Sequence, residues 1–382
     1  MNALPVNYRE DRAPAQNGSQ TIGFVGLGLI GGSIAKALKS ALPSIRIIAY
    51  DPNKESLSLA EKDGIADITV TEIDENFRSC DYIFLCAPVS GNDGNLSALK
   101  KFLSPSCLLT DVGSVKTGIR NHIEAAGLSR QFIGGHPMAG SERFGYANSK
   151  ARLLENAYYI LTPTETVPQV KLDAYRKLVA DMGAIPLVMD AGLHDYVTAA
   201  VSHLPHIIAA SLVRLVKEND SEDGIMKMIA AGGFKDITRI ASSSPDMWQQ
   251  ICLTNTDNIL RLLDSYIHAL SRVREHLEAK DARQLYHFFR QARDYRDSFQ
   301  EVSSGPIKKS HTLTVDIADE TGALAAIASL LAQNGISIKN IGITHNRERA
   351  EGALRIEFYG EKDILSANDI LKGQGYAIFE KK

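Results

Sequence analysis

The chain has 382 residues, of which 44% are hydrophobic and 23% charged, and its formal net charge is −3. This length is sufficient for two or three folded domains. A charge this close to zero argues against a dedicated nucleic-acid-binding surface, which would need a basic stripe.

The N-terminal residues 1–20 mix both signs of charge and lack the apolar core of a signal peptide, so we expect a poorly ordered leader. The most apolar later stretch begins at Tyr196 and contains two histidines, a proline and an arginine. That composition predicts a buried helix rather than a membrane span. The four cysteines form no CxxC pair and no metal-ligand spacing with histidine. We therefore expect a cytoplasmic protein with reduced thiols, no bound metal and no membrane partner.

Residues 21–162 alternate short apolar runs with helical stretches. The strand candidates are TIGFV, IRIIAY, DYIFLCAP, LLTDVG and QFIGGH, and most are bounded by glycine, proline or aspartate. Between them lie stretches of helical character such as GGSIAKALKSAL and KESLSLAEKDG. This alternation predicts an α/β domain of Rossmann type, with a parallel sheet covered on both faces.

A glycine fingerprint follows the first strand directly and opens a helix: Gly26, Gly28 and Gly31, with Leu29 and Ile30 between the last two. The first glycine permits a tight turn and the second lets the backbone approach a pyrophosphate. The third lets the helix pack on the strand, with the phosphate at the helix N-terminus. We expect these five residues to contact a dinucleotide, the alternative being a glycine-rich turn without cofactor.

Asp51 ends the second strand, twenty positions after Gly31. A carboxylate there accepts hydrogen bonds from ribose hydroxyls and repels the extra phosphate of NADP, which predicts NAD. Arg46 and Lys54 lie nearby and keep NADP open as the alternative. At the carboxyl ends of later strands, Ala87, Pro88 and Asp111 are predicted neighbours of the nicotinamide half, because ligands of open α/β sheets bind there.

Residues 163–304 are predicted to be mostly helical, and residues 305–310 to form a linker. Two of the helices are long and carry broad apolar faces, which a single small domain would leave uncovered; we therefore expect a homodimer. Residues 311–382 run in the order strand, helix, strand, strand, helix, strand, which is the ferredoxin-like α+β plan.

Three polar clusters are candidates for chemistry. GGHPMAGSE places His136 on a constrained loop at the ligand crevice, where an imidazole suits acid–base work at neutral pH. SHLPH contains Ser202, His203 and His206, the two histidines lying almost one helical turn apart. DITRIASSSPDMW contains Arg239, which can grip a carboxylate with two parallel hydrogen bonds, and the only tryptophan, Trp248.

Together GLGLIGGS, DVGSVK, GGHPMAGSE, SHLPH and DITRIASSSPDMW, in this order, resemble the prephenate dehydrogenase family, and the C-terminal segment DETGALAAIASLLAQNGISIKNIGI resembles an ACT domain. The resemblance implies NAD-dependent oxidative decarboxylation of prephenate to 4-hydroxyphenylpyruvate in L-tyrosine biosynthesis. It implies that His136 accepts the proton of the C4 hydroxyl, and that Ser114 positions both groups. His206 and Arg239 would bind the anionic groups of the substrate, with Ser202 and Trp248 bordering the pocket.

The ACT resemblance further implies an effector site, with L-tyrosine as the expected inhibitor. Asp319, Thr321 and Gly322 would border it, and Asn340 would face the same loop across the sheet. The alternative is a scaffold or dimerisation module without a ligand. For the whole chain, the alternatives are an arogenate dehydrogenase, a β-hydroxyacid dehydrogenase, and a non-catalytic amino-acid-responsive protein that keeps NAD for structure.

Overall fold

The computed structural model describes residues 20–141, 143–302, 311–317, 320, 322–345 and 352–379. Outside them lie almost all of the predicted leader, the predicted linker, and the effector candidates Asp319 and Thr321. The chain divides into two compact units, Met1–Glu275 and His276–Lys382.

The first unit is built on a parallel sheet of five strands: β1 (Thr21–Val25), β2 (Arg46–Tyr50), β3 (Ile68–Val70), β4 (Tyr82–Leu85) and β5 (Leu108–Asp111). Their order is β3-β2-β1-β4-β5. Successive side chains enter two different cores: Phe24 and Phe84 pack in one, and Val25 and Leu85 in the other. Because alternate residues of a strand point to opposite faces, both faces are covered. The Rossmann-type prediction is confirmed.

Four helices connect these strands and follow the last of them: α1 (Leu29–Ala41), α2 (Lys54–Lys62), α3 (Val89–Leu99) and α4 (Thr117–Ala125). Helix α2 begins where the side chain of Asn53 accepts hydrogen bonds from the amides of Glu55 and Ser56, a standard N-cap. Two of the four cysteines, Cys80 and Cys107, lie inside the core. Burial raises the pKa of Cys80 to about 12, so this thiol stays protonated and unreactive.

A second, three-stranded sheet follows: β6 (Ile133–Pro137), β7 (Tyr158–Pro163) and β8 (Ile185–Val188), with α5 (Gln169–Asp181) between the last two. Strand β6 pairs antiparallel with β7, and β7 pairs parallel with β8. A parallel bridge from Leu109 of β5 to Phe132, directly before β6, joins QFIGGH to the main sheet among the described residues. The expectation of a further parallel strand is therefore met by this bridge alone, and the regular ladder of β6 is with the returning strand β7.

The same pairing carries the α/β region past the boundary predicted at residue 162. A division there would fall inside β7 and would separate β7 from β8. The α/β part of the chain runs to Val188.

Helices follow: α6 (Ala191–Thr198), α7 (Leu204–Asn219), α8 (Ile225–Ile229), α9 (Gly232–Thr238), α10 (Pro245–Thr254), α11 (Thr256–Glu278) and α12 (Ala282–Val302). Five residues of π-helix, Ala199–His203, join α6 to α7 without a break. The predicted helical character of this region is confirmed.

Residues Ala191–Asn219 form one continuous helix that is long and apolar enough to cross a membrane by length and composition alone. Only 22% of its most apolar window is buried, so the expectation of a buried helix is not met within one chain. Val213 and Leu215 are exposed. Its N-terminal half, however, buries His194, Asp195 and His203 almost completely. The helix is thus polar and buried at one end and apolar and uncovered at the other.

The second unit ends in a four-stranded antiparallel sheet with two helices: β9 (His311–Ile317), α13 (Ala323–Gln333), β10 (Ile338–His345), β11 (Gly352–Phe358), α14 (Glu361–Gly373) and β12 (Ile378–Phe379). The strand order is β10-β11-β9-β12. Leu313, Val315 and Ile317 face one side of β9 and form the core with both helices. The predicted ferredoxin-like element order is confirmed.

The register of this sheet corrects one expectation. Asn340 pairs with Glu357, which pairs with Thr312 near the start of β9. The loop carrying Gly322 follows the other end of β9, roughly 16 Å away along the strand at 3.3 Å per residue. Within one copy, therefore, Asn340 does not face that loop.

Candidate active site

The glycine loop between β1 and α1 has the shape of a dinucleotide-binding turn. Gly26 has φ +99°, and a Cβ there would lie 2.7 Å from the amide nitrogen of Ala87. Either feature alone excludes most side chains. Gly28 is the N-cap residue of α1, and a Cβ there would meet no atom within 4 Å. The first turn of α1 thus faces open space, as an anion-binding helix N-terminus requires.

Asp51 is tied to the same loop. One carboxylate oxygen accepts a hydrogen bond from the Leu27 amide at 2.6 Å, and the other accepts one from the Asn53 amide at 2.7 Å. Each oxygen keeps a further lone pair for a ligand hydroxyl. The hydrogen bond to Leu27 fixes the carboxylate relative to the glycine loop. Arg46, the suggested NADP partner, lies at the opposite end of β2.

Ala87 and Pro88 lie in the turn after β4, beside Gly26, as expected for cofactor neighbours. The carboxylate of Asp111 is 2% exposed, is paired with the ammonium of Lys116, and accepts hydrogen bonds from the amides of Gly113 and Gly135. These contacts give Asp111 a structural role next to His136, and its predicted place beside the nicotinamide stays a prediction.

Lys116 links three segments of this support. Its side chain is fully buried, and its ammonium pairs with Asp111 and donates a hydrogen bond to the carbonyl oxygen of Gly135 at 2.7 Å. Burial lowers its pKa, and the Asp111 carboxylate opposes that shift. Gly135 packs so closely on β5 that a Cβ would lie 2.6 Å from the Asp111 carbonyl. The glycines before His136 are therefore required by close backbone packing, which fixes the position of the histidine.

His136 is the first member of a chain of three acid–base groups. Its Nδ1 lies 2.8 Å from Nε2 of His194, and Nδ1 of His194 lies 2.8 Å from a carboxylate oxygen of Asp195. The two rings meet edge to face, with centroids 5.0 Å apart. His194 and Asp195 are 0% and 1% exposed, whereas His136 is half-buried. Nε2 is the ring nitrogen of His136 left for a ligand.

The electrostatics of this chain keep His136 neutral. Burial, His194, the Lys116 ammonium and His203 together hold the pKa of His136 well below its usual value. Burial alone would raise the pKa of Asp195, but hydrogen bonds from His194 and from the amides of Thr117 and Lys116 lower it overall. Asp195 is thus an ionised carboxylate that also receives the first amides of α4.

Ser114 is half-buried in the loop before α4, and no hydrogen bond joins it to His136. Nδ1 of His136 contacts His194 instead, and a positioning role for Ser114 toward a bound substrate stays a prediction. The Ser114 hydroxyl is left for a ligand.

The π-helical segment places the SHLPH cluster. A π turn inserts one extra residue per turn and is frequent at functional sites. His203 is packed: its Nδ1 accepts a hydrogen bond from the Asn255 amide at 3.1 Å, and that amide also donates to the Asp195 carbonyl at 2.8 Å. Burial lowers the pKa of His203 to about 4. Asn255 therefore ties α6 to the end of α10.

His206, one turn later, donates from Nδ1 to the carbonyl oxygen of Ser202 at 2.9 Å. Its ring stacks on Trp248, with centroids 3.7 Å apart and planes 25° from parallel. Burial lowers the pKa of His206, and the nearby guanidinium of Arg239 adds to this effect. The structure thus brings together four predicted residues: Ser202, His206, Arg239 and Trp248.

Two buried nitrogens in this cluster, Nε2 of His203 and Nε1 of Trp248, have no hydrogen-bond partner among the described residues. Since Nδ1 of His203 accepts, Nε2 of the neutral ring carries the proton, so both nitrogens are donors. Unpaired buried donors are costly and indicate a missing acceptor. The rings of His203 and Trp248 meet edge to face with centroids 6.0 Å apart, so both donors belong to one cluster.

Sequence reasoning missed His194, Asp195 and Asn255, and it left Lys116 without a role. The adjacent His194 and Asp195 follow Asp190, whose side chain caps α6. That pair was a visible signal. Its meaning depends on the contact with His136, fifty-eight residues away, which no spacing indicates.

The chain matches two family models: "Prephenate dehydrogenase, nucleotide-binding domain" over residues 34–187 and "Prephenate dehydrogenase, dimerization domain" over residues 190–291. A prephenate dehydrogenase of Bacillus subtilis is 39% identical over 356 residues, covering 93% of this chain and 96% of that protein.

Among solved structures, Aquifex aeolicus prephenate dehydrogenase in complex with hydroxyphenyl propionate and NAD+ superposes with a TM-score of 0.71 at 33% identity, covering 75% of this chain and all of that one. Synechocystis arogenate dehydrogenase gives a TM-score of 0.66 at 28% identity, covering 73% of this chain and all of that one. With this coverage and the dinucleotide loop described above, the chain belongs to the prephenate dehydrogenase family.

Proposed function

We propose that the protein catalyses the NAD-dependent oxidative decarboxylation of prephenate to 4-hydroxyphenylpyruvate, a step of L-tyrosine biosynthesis in the cytoplasm. The observation that carries the proposal is the state of His136: a neutral imidazole held through Nδ1, with Nε2 left for a ligand. Membership of the family supports the reaction class, and the free cysteines are consistent with a reducing compartment.

The residues present fit NAD. The open space at Gly28 leaves room for a pyrophosphate at the N-terminus of α1, and Asp51 offers lone pairs to ribose hydroxyls. Its carboxylate would repel a 2′-phosphate, which favours NAD over NADP. Bound NAD would supply the hydride acceptor. We assign Ala87 and Pro88 to the nicotinamide side because they border the same loop.

His136 would take the proton of the substrate hydroxyl. The carbon that loses hydride becomes carbonyl-like, and its hydroxyl must release a proton as this happens. A neutral imidazole accepts that proton, whereas a protonated one does not. Loss of carbon dioxide then restores an aromatic ring and drives the reaction forward. The protein therefore has mainly to align the reacting groups and accept one proton.

The remaining cluster would hold the substrate. The guanidinium of Arg239 can bind a carboxylate with two hydrogen bonds, and its charge lowers the pKa of His206 in the same cluster. The unpaired donors of His203 and Trp248 would find their acceptor in a substrate oxygen. Ser114 and Ser202 would border the substrate.

The direct test is the formation of NADH, followed by absorbance, with prephenate, arogenate and a simple β-hydroxyacid offered separately. We expect turnover with prephenate. Arg239→Ala should raise the KM for prephenate at least 10-fold, because the loss of a charge-assisted hydrogen bond costs about 1.5–3 kcal/mol, and should leave the KM for NAD within twofold. The exposed Arg214, paired with Glu218, provides the control R214A.

Activity only with arogenate would replace the substrate, an outcome that the similarity to the Synechocystis enzyme makes worth testing. Activity only with the β-hydroxyacid would reject the proposal. NAD binding without turnover of any of the three would favour a binding protein.

A homodimer is part of the proposal. The helices of the first unit expose large apolar side chains that a single chain leaves uncovered: Leu215, Ile225, Met228, Ile229, Leu253, Leu260 and Ile267. Patches of this extent mark interaction surfaces. The matched family model is named for dimerisation and covers these helices. Sedimentation equilibrium should give twice the chain mass of 41.7 kDa; a monomer at micromolar concentration would contradict the assembly.

We further propose that the C-terminal βαββαβ region is an ACT domain that binds L-tyrosine as an inhibitor. Gly322, with φ +96°, allows a tight entry into α13, and Asn340 is exposed on the edge strand β10. Because these two positions lie at opposite ends of the sheet, an effector that touches both requires a second copy of the module. The site would then form only in the dimer.

Asn340→Ala is expected to raise the tyrosine concentration for half-inhibition at least 10-fold without changing uninhibited turnover, because only the effector would lose a hydrogen-bonding group. The neighbouring, equally exposed Lys339→Ala serves as control. Unchanged inhibition in the Asn340 variant, together with unchanged inhibition after removal of residues 307–382, would place the tyrosine site elsewhere.

A further inference from the structure

The contact between His136 and His194 determines which nitrogen of each ring carries a proton. Asp195 is an ionised carboxylate and can only accept hydrogen bonds. It accepts hydrogen bonds from the amides of Lys116 and Thr117 at 2.7 and 2.8 Å, and its contact with Nδ1 of His194 measures 2.8 Å. Nδ1 of His194 therefore bears hydrogen.

The rest of the chain follows from this assignment. A neutral His194 has its lone pair on Nε2, which lies 2.8 Å from Nδ1 of His136. That distance is a hydrogen bond only if Nδ1 of His136 donates. Nε2 of His136 is then the unprotonated nitrogen, the one left for a ligand. The buried carboxylate of Asp195 thus selects the tautomer of His136, although it contacts His136 only through His194.

We propose that His194, oriented by Asp195, is the positioning residue that holds His136 as an Nε2 base and takes over its Nδ1 proton when the substrate hydroxyl is deprotonated. This inference rests on the proposed function. The substrate O–H bond breaks and Nε2–H of His136 forms, while Nδ1–H of His136 breaks and Nε2–H of His194 forms. The positive charge moves from His136 to His194, and no electrons are exchanged in this transfer.

The surrounding charges favour this final location. The Lys116 ammonium, from the start of α4, and His203, from the π-helical segment, both disfavour a positive charge on His136. A carboxylate oxygen of Asp195 lies 2.8 Å from Nδ1 of His194 and favours a positive charge on that ring. The carboxylate of Asp111 is paired with the ammonium of Lys116. Burial also lowers the pKa of His136, which makes that ring alone a weak proton acceptor.

Two substitutions of His194 distinguish a role in positioning His136 and accepting its proton from a role in packing alone. In His194→Gln, the side-chain oxygen can take the place of Nε2 and accept from His136, but it takes up no proton at neutral pH. In His194→Asn, the shorter amide can still donate to Asp195 but does not reach His136. The exposed His122 on α4 supplies the control H122Q.

We expect kcat with prephenate to fall about 10-fold in H194Q, which keeps the base positioned, and about 100-fold or more in H194N, which enters the ~10²–10⁴-fold range of a positioned base. The KM for NAD should stay within twofold in both. The acid limb of the kcat/KM profile should move to higher pH in H194Q, because His194 is one of the groups that lower the pKa of His136 and glutamine carries no charge. H122Q should match the wild type in kcat, KM and pH profile.

The inference would be overturned if kcat fell equally in H194Q and H194N, in proportion to the loss of Tm, and the acid limb of the kcat/KM profile did not move. That result would show a structural role for His194. A kcat within twofold of the wild type in both variants would also overturn the inference. The ¹⁵N NMR shifts of His136, assigned with His136→Asn, give a reading that needs no substrate: Nδ1 should be protonated in the wild type and in H194Q but lose this preference in H194N. An inactive wild type that keeps this tautomer would reject the proposed function and leave the positioning intact.

Discussion

Exchange of His136 for asparagine is expected to lower kcat by about 10²–10⁴-fold while the Kd for NAD stays within twofold. The loss equals the usual contribution of a positioned general base. Asparagine keeps a polar group near Nδ1, so the contact with His194 and the fold around it should survive. The glycine loop and Asp51, which belong to other segments, are untouched. Stopped-flow turnover and fluorescence titration of NADH binding measure the two quantities.

The pH dependence gives the same assignment a second reading. The base works only when neutral, so activity falls as the pH drops through its pKa. Burial lowers that pKa, and the wild type should therefore remain active below about pH 6.5, the usual value for histidine. H136N should lack this acid limb. Near-normal turnover in the variant, or an acid limb that persists unchanged, would show that another group removes the proton.

The second large effect concerns stability. Lys116→Met should lower the free energy of unfolding by about 3–5 kcal/mol, the usual result of removing one partner from a buried ion pair. It leaves the carboxylate of Asp111 buried without its cation and removes the hydrogen bond to the Gly135 carbonyl. Urea unfolding followed by circular dichroism gives the value. Since β6 carries His136 immediately after Gly135, kcat should fall as well.

The double variant Asp111→Asn with Lys116→Met is the control. Asparagine keeps one of the two hydrogen bonds from the backbone amides of Gly113 and Gly135 through its single oxygen and carries no charge, so the penalty of an unpaired buried ion disappears. We expect the double variant to be more stable than K116M alone. If the two are equally destabilised, the cost lies in the lost packing of the lysine stem and not in the charge.

Local sequence carried much of the fold. The glycine fingerprint and Asp51 could be predicted because a tight turn, a helix N-terminus and a ribose acceptor need those residue types at a short, fixed spacing. The ferredoxin-like order of the C-terminal strands and helices followed from alternating apolar patterns. In both cases the decisive contacts lie close together along the chain.

What could not be predicted depends on contacts between distant segments. The ladder partner of β6 is β7, with one bridge to the parallel sheet before it, and no residue in IGGHP indicates this arrangement. Asp111 lies at the carboxyl end of a strand, where cofactor contacts are usual, but its carboxylate forms a buried ion pair with Lys116. The role of His194 appears only when α6 meets β6. The exposed apolar half of the long helix has no explanation within one chain.

The five-residue wider turn between α6 and α7 has a mechanical consequence. Each residue of an ordinary α-helix advances the direction of its side chain by about 100°. Deleting one residue from this turn would restore a regular α-helix. The ring of His206 would then rotate about the helix axis by about 100° away from Trp248, while Asp195 kept its position. One additional residue in the π-helical segment thus sets the angle about the helix axis between the proton-accepting groups of α6 and the anion-binding groups of α7.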